Sequence, residues 1–235
     1  MTLPMLSADE WSVIGLSLKI GLTAVAAMLP ISLALAYILA RGRFPGLLLL
    51  DALVHLPLVV PPVVTGWLLL LLFGASGPVG LWLESWFGVS VLFRWTGAAI
   101  AAAIMAMPLM VRAMRLSIES VDRRLEDAAA TLGAGRWRVF RTITLPLSLP
   151  GIAAAMVLGF ARSIGEFGAT ITFVSNIPGE TRTLPIAIYG ALQMPGAEAE
   201  VTRLAIMSVL LSLGALLASE LLARRAGKGW RGHGL

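Results

Sequence analysis

Residues 127–146 read DAAATLGAGRWRVFRTITLP, a basic, glycine-broken stretch held between two long apolar runs. Just before and into it, Val121, Leu125, Ala128, Ala129 and Leu132 recur at helical spacing, while Asp122, Arg123, Arg124, Glu126 and Asp127 fill the other faces. The pattern predicts a short amphipathic helix over 121–132, with Ser120 as N-cap and Gly133 as the left-handed residue that ends it. Residues 136–142 predict a second short helix showing Trp137, Val139 and Phe140, and Pro146 marks the entry to the next apolar run. Two uses fit such a segment: a basic loop resting on anionic lipid, or a rigid element read by a protein partner.

The surroundings are those of a membrane protein. Of 235 residues, 58% are apolar and only 13% charged, about half the charge of an average soluble domain. A helix needs roughly 20 mostly apolar residues to cross the hydrocarbon layer. Five runs qualify: 11–40, 47–73, 96–111, 147–174 and 204–223. Strand-type alternation is missing, which argues against an outer-membrane barrel. The fold class expected is therefore an all-α membrane protein of about five transmembrane helices. The first run follows Asp9 and Glu10 rather than a basic segment and is long for a signal-peptide core, so it reads as a retained span.

The eighteen basic residues are distributed one-sidedly. Arg41 and Arg43 follow the first run; Arg112, Arg115, Arg123, Arg124, Arg136, Arg138 and Arg141 lie between the third and fourth; Arg224, Arg225, Lys228 and Arg231 follow the fifth. The positive-inside bias then places the N-terminus outside and the C-terminus in the cytoplasm. The basic tail reads as a topology anchor rather than a nucleic-acid patch. On the other side, Trp82, Trp86 and Trp95 suit a segment lying at headgroup level. The stretch 184–194 is too short to span and either dips in or lies flat.

Several chemistries are excluded by what the chain lacks. Without cysteine there is no disulfide, thiol nucleophile or thiolate metal site. Gly227-Lys228 is followed by Gly229 and lacks the frame of a phosphate-binding loop. His55 has no serine or cysteine partner on a shared face, so an intramembrane hydrolase is disfavoured. No catalytic residue, metal site or cofactor is expected in this chain.

The order Asp127-Ala128-Ala129, three residues, Gly133, nine residues, then Ile143-x-Leu145-Pro146 resembles the "EAA" loop of ABC importer permeases, with Asp where Glu is usual. "HLPLVVPPVVTGWLLL", "ATLGAGRWRVFRTITLPLSLPGI" and "ARSIGEFGATITFVSNIPGETRTLPIAIY" extend the likeness over nearly the whole chain and narrow it to permeases of molybdate importers. Sulfate/thiosulfate and tungstate permeases share the Gly165-Glu166-Phe167-Gly168 element. The resemblance implies a type I, MetI-like permease fold in one transmembrane domain over 1–235, with its core at about 11–223 and a coupling loop at 120–146. It implies a bacterial inner-membrane location, a second copy of the chain, an extracytoplasmic oxyanion-binding protein, and a pair of cytoplasmic ATPase subunits that bind the ATP and Mg. It also gives Leu125, Glu126, Asp127, Ala128, Ala129, Leu132, Gly133 and Trp137 the role of docking the ATPase.

Charges inside the runs are the remaining candidates. Arg162, Glu166 and Thr170 are spaced four apart, which predicts one helix face. Together with Thr172, Ser175 and Asn176 they are candidate pathway residues; an ion pair that locks packing is the competing role. Gly151, Ala155, Gly159 and Ser163 form a small-residue stripe that permits close helix packing. Asp51 and His55 are placed to pair, snorkel or relay a proton. Lys19 reaches toward the outer interface, and Glu220 stands beside Arg224. Pro57, Pro61 and Pro62 predict a bend in the second run. A passive anion channel is the alternative of another class, and it has no use for the coupling segment.

Overall fold

The computed structural model describes residues 6–231, with the side chains of 219, 220 and 222–231 outside the described set. The side chains of Glu220 and Arg224, expected beside each other, therefore lie outside the described set. All regular structure among the described residues is helical.

Helix α1 (Ala8–Arg41) begins at a reciprocal cap. Ser7 Oγ accepts from Glu10 N at 3.2 Å, and Glu10 Oε2 accepts from Ser7 N at 2.6 Å. It ends where Gly42 turns extended. The second run divides into α2 (Leu47–Val59) and α3 (Pro62–Phe73), bent by 113° at the Val60-Pro61 junction. Consecutive prolines remove the donors that would carry one helix through, so the expected bend is realised as a break. α4 (Pro78–Phe87) exposes Leu81, Trp82, Trp86 and Phe87 together, as an interfacial segment does.

Helix α5 (Trp95–Glu119) is the axis of the bundle. Ala98, Ala101, Ala102, Ala106, Met110, Val111, Met114 and Ile118 are all buried, so this helix is enclosed rather than one-faced. It runs eight residues beyond the expected limit at Val111, which puts Arg112 and Arg115 on its last turns instead of in a loop. α6 (Arg123–Thr131) and α7 (Arg136–Val139) follow. A π-helical turn at Phe140–Thr144 then leads without interruption into α8 (Leu145–Ile164). Pro146, expected at the entry to this run, lies in the first turn of α8 directly after the π turn.

The small-residue stripe of α8 is what seats it on α5. A Cβ on Gly159 would stand 2.6 Å from Met110 Sδ, and one on Gly151 2.2 Å from Ser117 Cβ. Near the other end, the run expected at 147–174 breaks at Gly165-Glu166-Phe167 before α9 (Gly168–Val174). α3 packs on α9, with Gly66 against Ala169 and Thr172. α10 (Leu184–Leu192) is the short apolar stretch; it neither spans nor lies free. Leu184, Ile186, Ala187 and Ala191 are buried, and its first amide donates to Ser17 Oγ of α1 at 2.8 Å. α11 (Glu198–Arg231) closes the bundle, and Arg203 pairs with Glu10 at 2.8 Å. Among the described residues, four helices are long and apolar enough to cross a membrane, or five counting the bent α2–α3 pair.

Gly151→Leu is expected to push α8 off α5 and cost about 1–3 kcal/mol, read as a lowered melting temperature in detergent. Gly15→Leu, where a new Cβ meets nothing within 4 Å, is the control and should leave the melting temperature unchanged or raised.

Candidate coupling surface and intramembrane charge cluster

The loop between α5 and α8 is built like a bracket. Asp122, not Ser120, caps α6: its Oδ1 accepts from Arg124 N at 2.9 Å. Ser120 instead ends α5 and donates its hydroxyl to Ser117 O at 2.7 Å. The C-terminus is the one expected. Gly133 has φ +84°, Ala134 N donates to Ala129 O at 3.0 Å and Gly133 N to Ala130 O at 3.0 Å, a Schellman closure.

The helix so fixed leaves its apolar residues uncovered. Leu125, Leu132 and Trp137 are 48%, 89% and 67% exposed, and Asp127, Ala128 and Gly133 lie open beside them, with Ala129 half-buried. Glu126 turns the other way. Its carboxylate takes Arg41 Nε at 3.1 Å and the Thr144 hydroxyl at 2.6 Å. The same guanidinium donates to Ile118 O at 2.9 Å and Val121 O at 3.2 Å. Of the eight residues expected to meet a partner, Trp137 stacks on Phe140 beside α1, and Glu126 turns away from the open face and holds α6 to the ends of α1, α5 and α8. Sequence spacing could not show this, because Arg41 stands 85 positions away.

The pathway candidates divide. Arg162 Nη1 meets Glu166 Oε2 at 2.6 Å, so the pair forms, although the helix ends between them and the shared face with Thr170 is lost. Glu166, 3% exposed, also accepts from Ala169 N at 2.8 Å. It thereby satisfies a first-turn donor of α9 inside an apolar bundle, which is what makes the break tolerable. Thr170 is buried in the packing of α9. Thr172 donates to Gly168 O within its own helix at 2.9 Å, and Asn176 Oδ1 accepts from Arg182 Nε at 2.9 Å. Ser175 sits at φ +65°, its carbonyl accepting the Thr181 hydroxyl at 3.0 Å. Only Arg162, Glu166 and Thr170 are brought near one break; Thr172 bonds within α9, and Ser175 and Asn176 belong to the turn after it.

Two further groupings surround these. Asp51 and His55 pair at 3.1 Å as expected, and Arg115 joins them, 3.2 Å from Asp51 and 2.8 Å from Glu119. Together with Arg112 they line an open cavity of about 330 Å³. The sequence signal missed was the Arg115–Glu119 spacing of four at the end of α5. Lys19 Nζ lies 3.7 Å over the Trp95 ring, which accounts for a cation on α1.

Glu126→Gln is expected to loosen α6 alone. Amide exchange over 123–131 should accelerate on the order of tenfold, about 1–2 kcal/mol, while α5 and α8 keep their protection; unchanged exchange in α6 would refute the bracket.

Residues 28–228 match the family model described as "Binding-protein-dependent transport system inner membrane component". The molybdenum transport system permease protein ModB of Escherichia coli K12 is 57% identical over 228 residues, 95% of this chain and 100% of that one. The sulfate transport system permease protein CysT of the same organism is 39% identical over 206 residues, 86% of this chain and 72% of that one. Among solved structures, a bacterial ABC transporter involved in import of the acidic polysaccharide alginate aligns with TM-score 0.73 at 22% identity, covering 94% of this chain and 80% of that one. The chain belongs to the family of inner-membrane components of binding-protein-dependent transport systems, with the all-α fold of ABC importer permeases, a multi-pass transport subunit rather than an enzyme.

Proposed function

We propose that this chain is the permease subunit of an ABC importer for molybdate, acting as a symmetric pair with the conduit between the two copies. The observation that carries the reading is helix α6, whose apolar side faces outward while its carboxylate is bound inward. An exposed apolar face on a rigid bracket beside a basic membrane face is a docking surface, and a cytoplasmic ATPase pair, binding ATP and Mg, is the partner that uses it. The basic end then faces the cytoplasm, with the N-terminus outside and the C-terminus inside. An extracytoplasmic binding protein delivers the anion. The 57% identity to a molybdenum permease, against 39% to a sulfate permease, favours molybdate over sulfate.

The intramembrane residues suit passage of a dianion rather than capture. A lone guanidinium 4 Å from a dianion would attract it by about 8 kcal/mol at an effective dielectric of about 20. That would be a trap. With Glu166 at 2.6 Å, Arg162 presents a largely cancelled charge. Thr170 offers a neutral group beside the break, and Thr172, Ser175 and Asn176 offer others along α9 and in the turn after it, engaged with backbone or with Arg182.

Reconstituted with its ATPase and binding protein, the chain is expected to take up molybdate in an ATP-dependent manner and to prefer it to sulfate. Gly133→Trp, at a residue whose φ of +84° a side chain rarely adopts, should abolish uptake while the protein still inserts. Sulfate preference would overturn the substrate; normal uptake by the variant, or uptake without ATP, would overturn the importer and favour a passive channel.

A further inference from the structure

Between the second half of α1 and the start of the α7–α8 rod runs an open groove of about 570 Å³. Its floor is apolar: Leu33 and Ala34 from α1, and Tyr37 meeting Phe140 edge-to-face at 4.9 Å. Its mouth is different. Arg136 and Trp137 stand there, and a second open cavity, about 350 Å³, continues from Trp137 to Arg138 and Arg141. The Trp137 ring stacks on Phe140 at 5.4 Å, and the Arg141 guanidinium lies 5.9 Å from its centroid. No acidic residue lines either cavity, and Arg136, Arg138 and Arg141 have no ion-pair partner among the described residues.

Depth identifies what fits. The groove begins at Pro30, eleven residues before Arg41 ends α1, or about 16 Å along the helix. That is about half of the roughly 30 Å hydrocarbon layer, one leaflet. A second copy of the chain would fill the groove poorly, since a two-fold contact here would set two arginine clusters against each other. A cytosolic partner does not reach membrane depth.

We propose that this groove holds an acyl chain of an anionic phospholipid of the adjoining leaflet, its phosphate on Arg136, Arg138 and Arg141 and the Trp137 indole at headgroup level. Such a lipid bears on the face of the α7–α8 rod at Phe140, while Thr144, four residues on, is tied to Glu126. It therefore braces the coupling element from the membrane side. The π turn at Phe140–Thr144 is the segment whose geometry it supports. The proposal takes from the function above only that this end meets a leaflet.

The test is native mass spectrometry of the delipidated full chain in detergent, titrated with dioleoyl phosphatidylglycerol or dioleoyl phosphatidylcholine. Phosphatidylglycerol should bind more tightly, on the order of tenfold or more. Ala34→Trp, which fills the exposed groove, should remove that adduct. The combined surface changes Arg136→Gln, Arg138→Gln and Arg141→Gln should remove the preference between the two lipids. Equal affinities in the unmodified chain, or an undiminished adduct in both variants, would overturn the site. Because the assay contains no ATPase, binding protein or oxyanion, its failure leaves the importer reading standing, and failed uptake leaves this site standing.

Discussion

The contact on which the rest depends is the guanidinium of Arg41 closed around Glu126. It joins the end of the first crossing to α6, takes carbonyls at and just past the end of α5, and shares its carboxylate with the hydroxyl of Thr144 at the foot of α8. Four elements meet at one partly buried ion pair. Such a pair adds little net stability, because desolvation offsets most of the attraction. What it contributes is geometry. With Glu126 turned inward, Leu125 and Ala128 of α6 and Leu132 at its C-cap stand outside, and the helix becomes a handle rather than a lid.

A handle is useful only on a stiff body. The alanine- and glycine-lined contact of α5 with α8 provides one, since close helix approach leaves little room for sliding. Thr144 ties α6 to α8, which runs as one rod to the break at Gly165-Glu166-Phe167. There the same chemistry recurs. A glutamate pairs with an arginine and at the same time accepts a backbone donor, holding two helix ends in register inside the apolar layer. The handle and the break, the two interruptions bracketing the longest rod in the loop-and-crossing unit, are each organised around one carboxylate.

Much of this was legible in the sequence because it is written in short-range patterns. Apolar length gave the crossings, the proline cluster gave the bend in the second one, and Gly133 gave the end of α6. The Gly151–Ser163 stripe gave the packing of α8. What stayed hidden depends on contacts distant in sequence. Ser120 and Asp122 are both good caps, and which one is used is decided by how far α5 extends as it packs. Spacing of four placed Arg162, Glu166 and Thr170 on one helix; the pair survives the break because a side chain can reach across it, whereas Thr170 turns into the core. The inward turn of Glu126 could not be read at all, since its partner is on α1.

The most direct test uses the fact that the chain has no cysteine of its own. A single cysteine replacing Leu132, the most exposed residue of the handle's apolar side, reports both the side of the membrane and the neighbour. In intact cells it should resist a membrane-impermeant maleimide, and in inverted membranes it should form a cross-link to the ATPase subunit. Labelling from the outside, or a cross-link yield that ignores the ATPase altogether, would contradict the account.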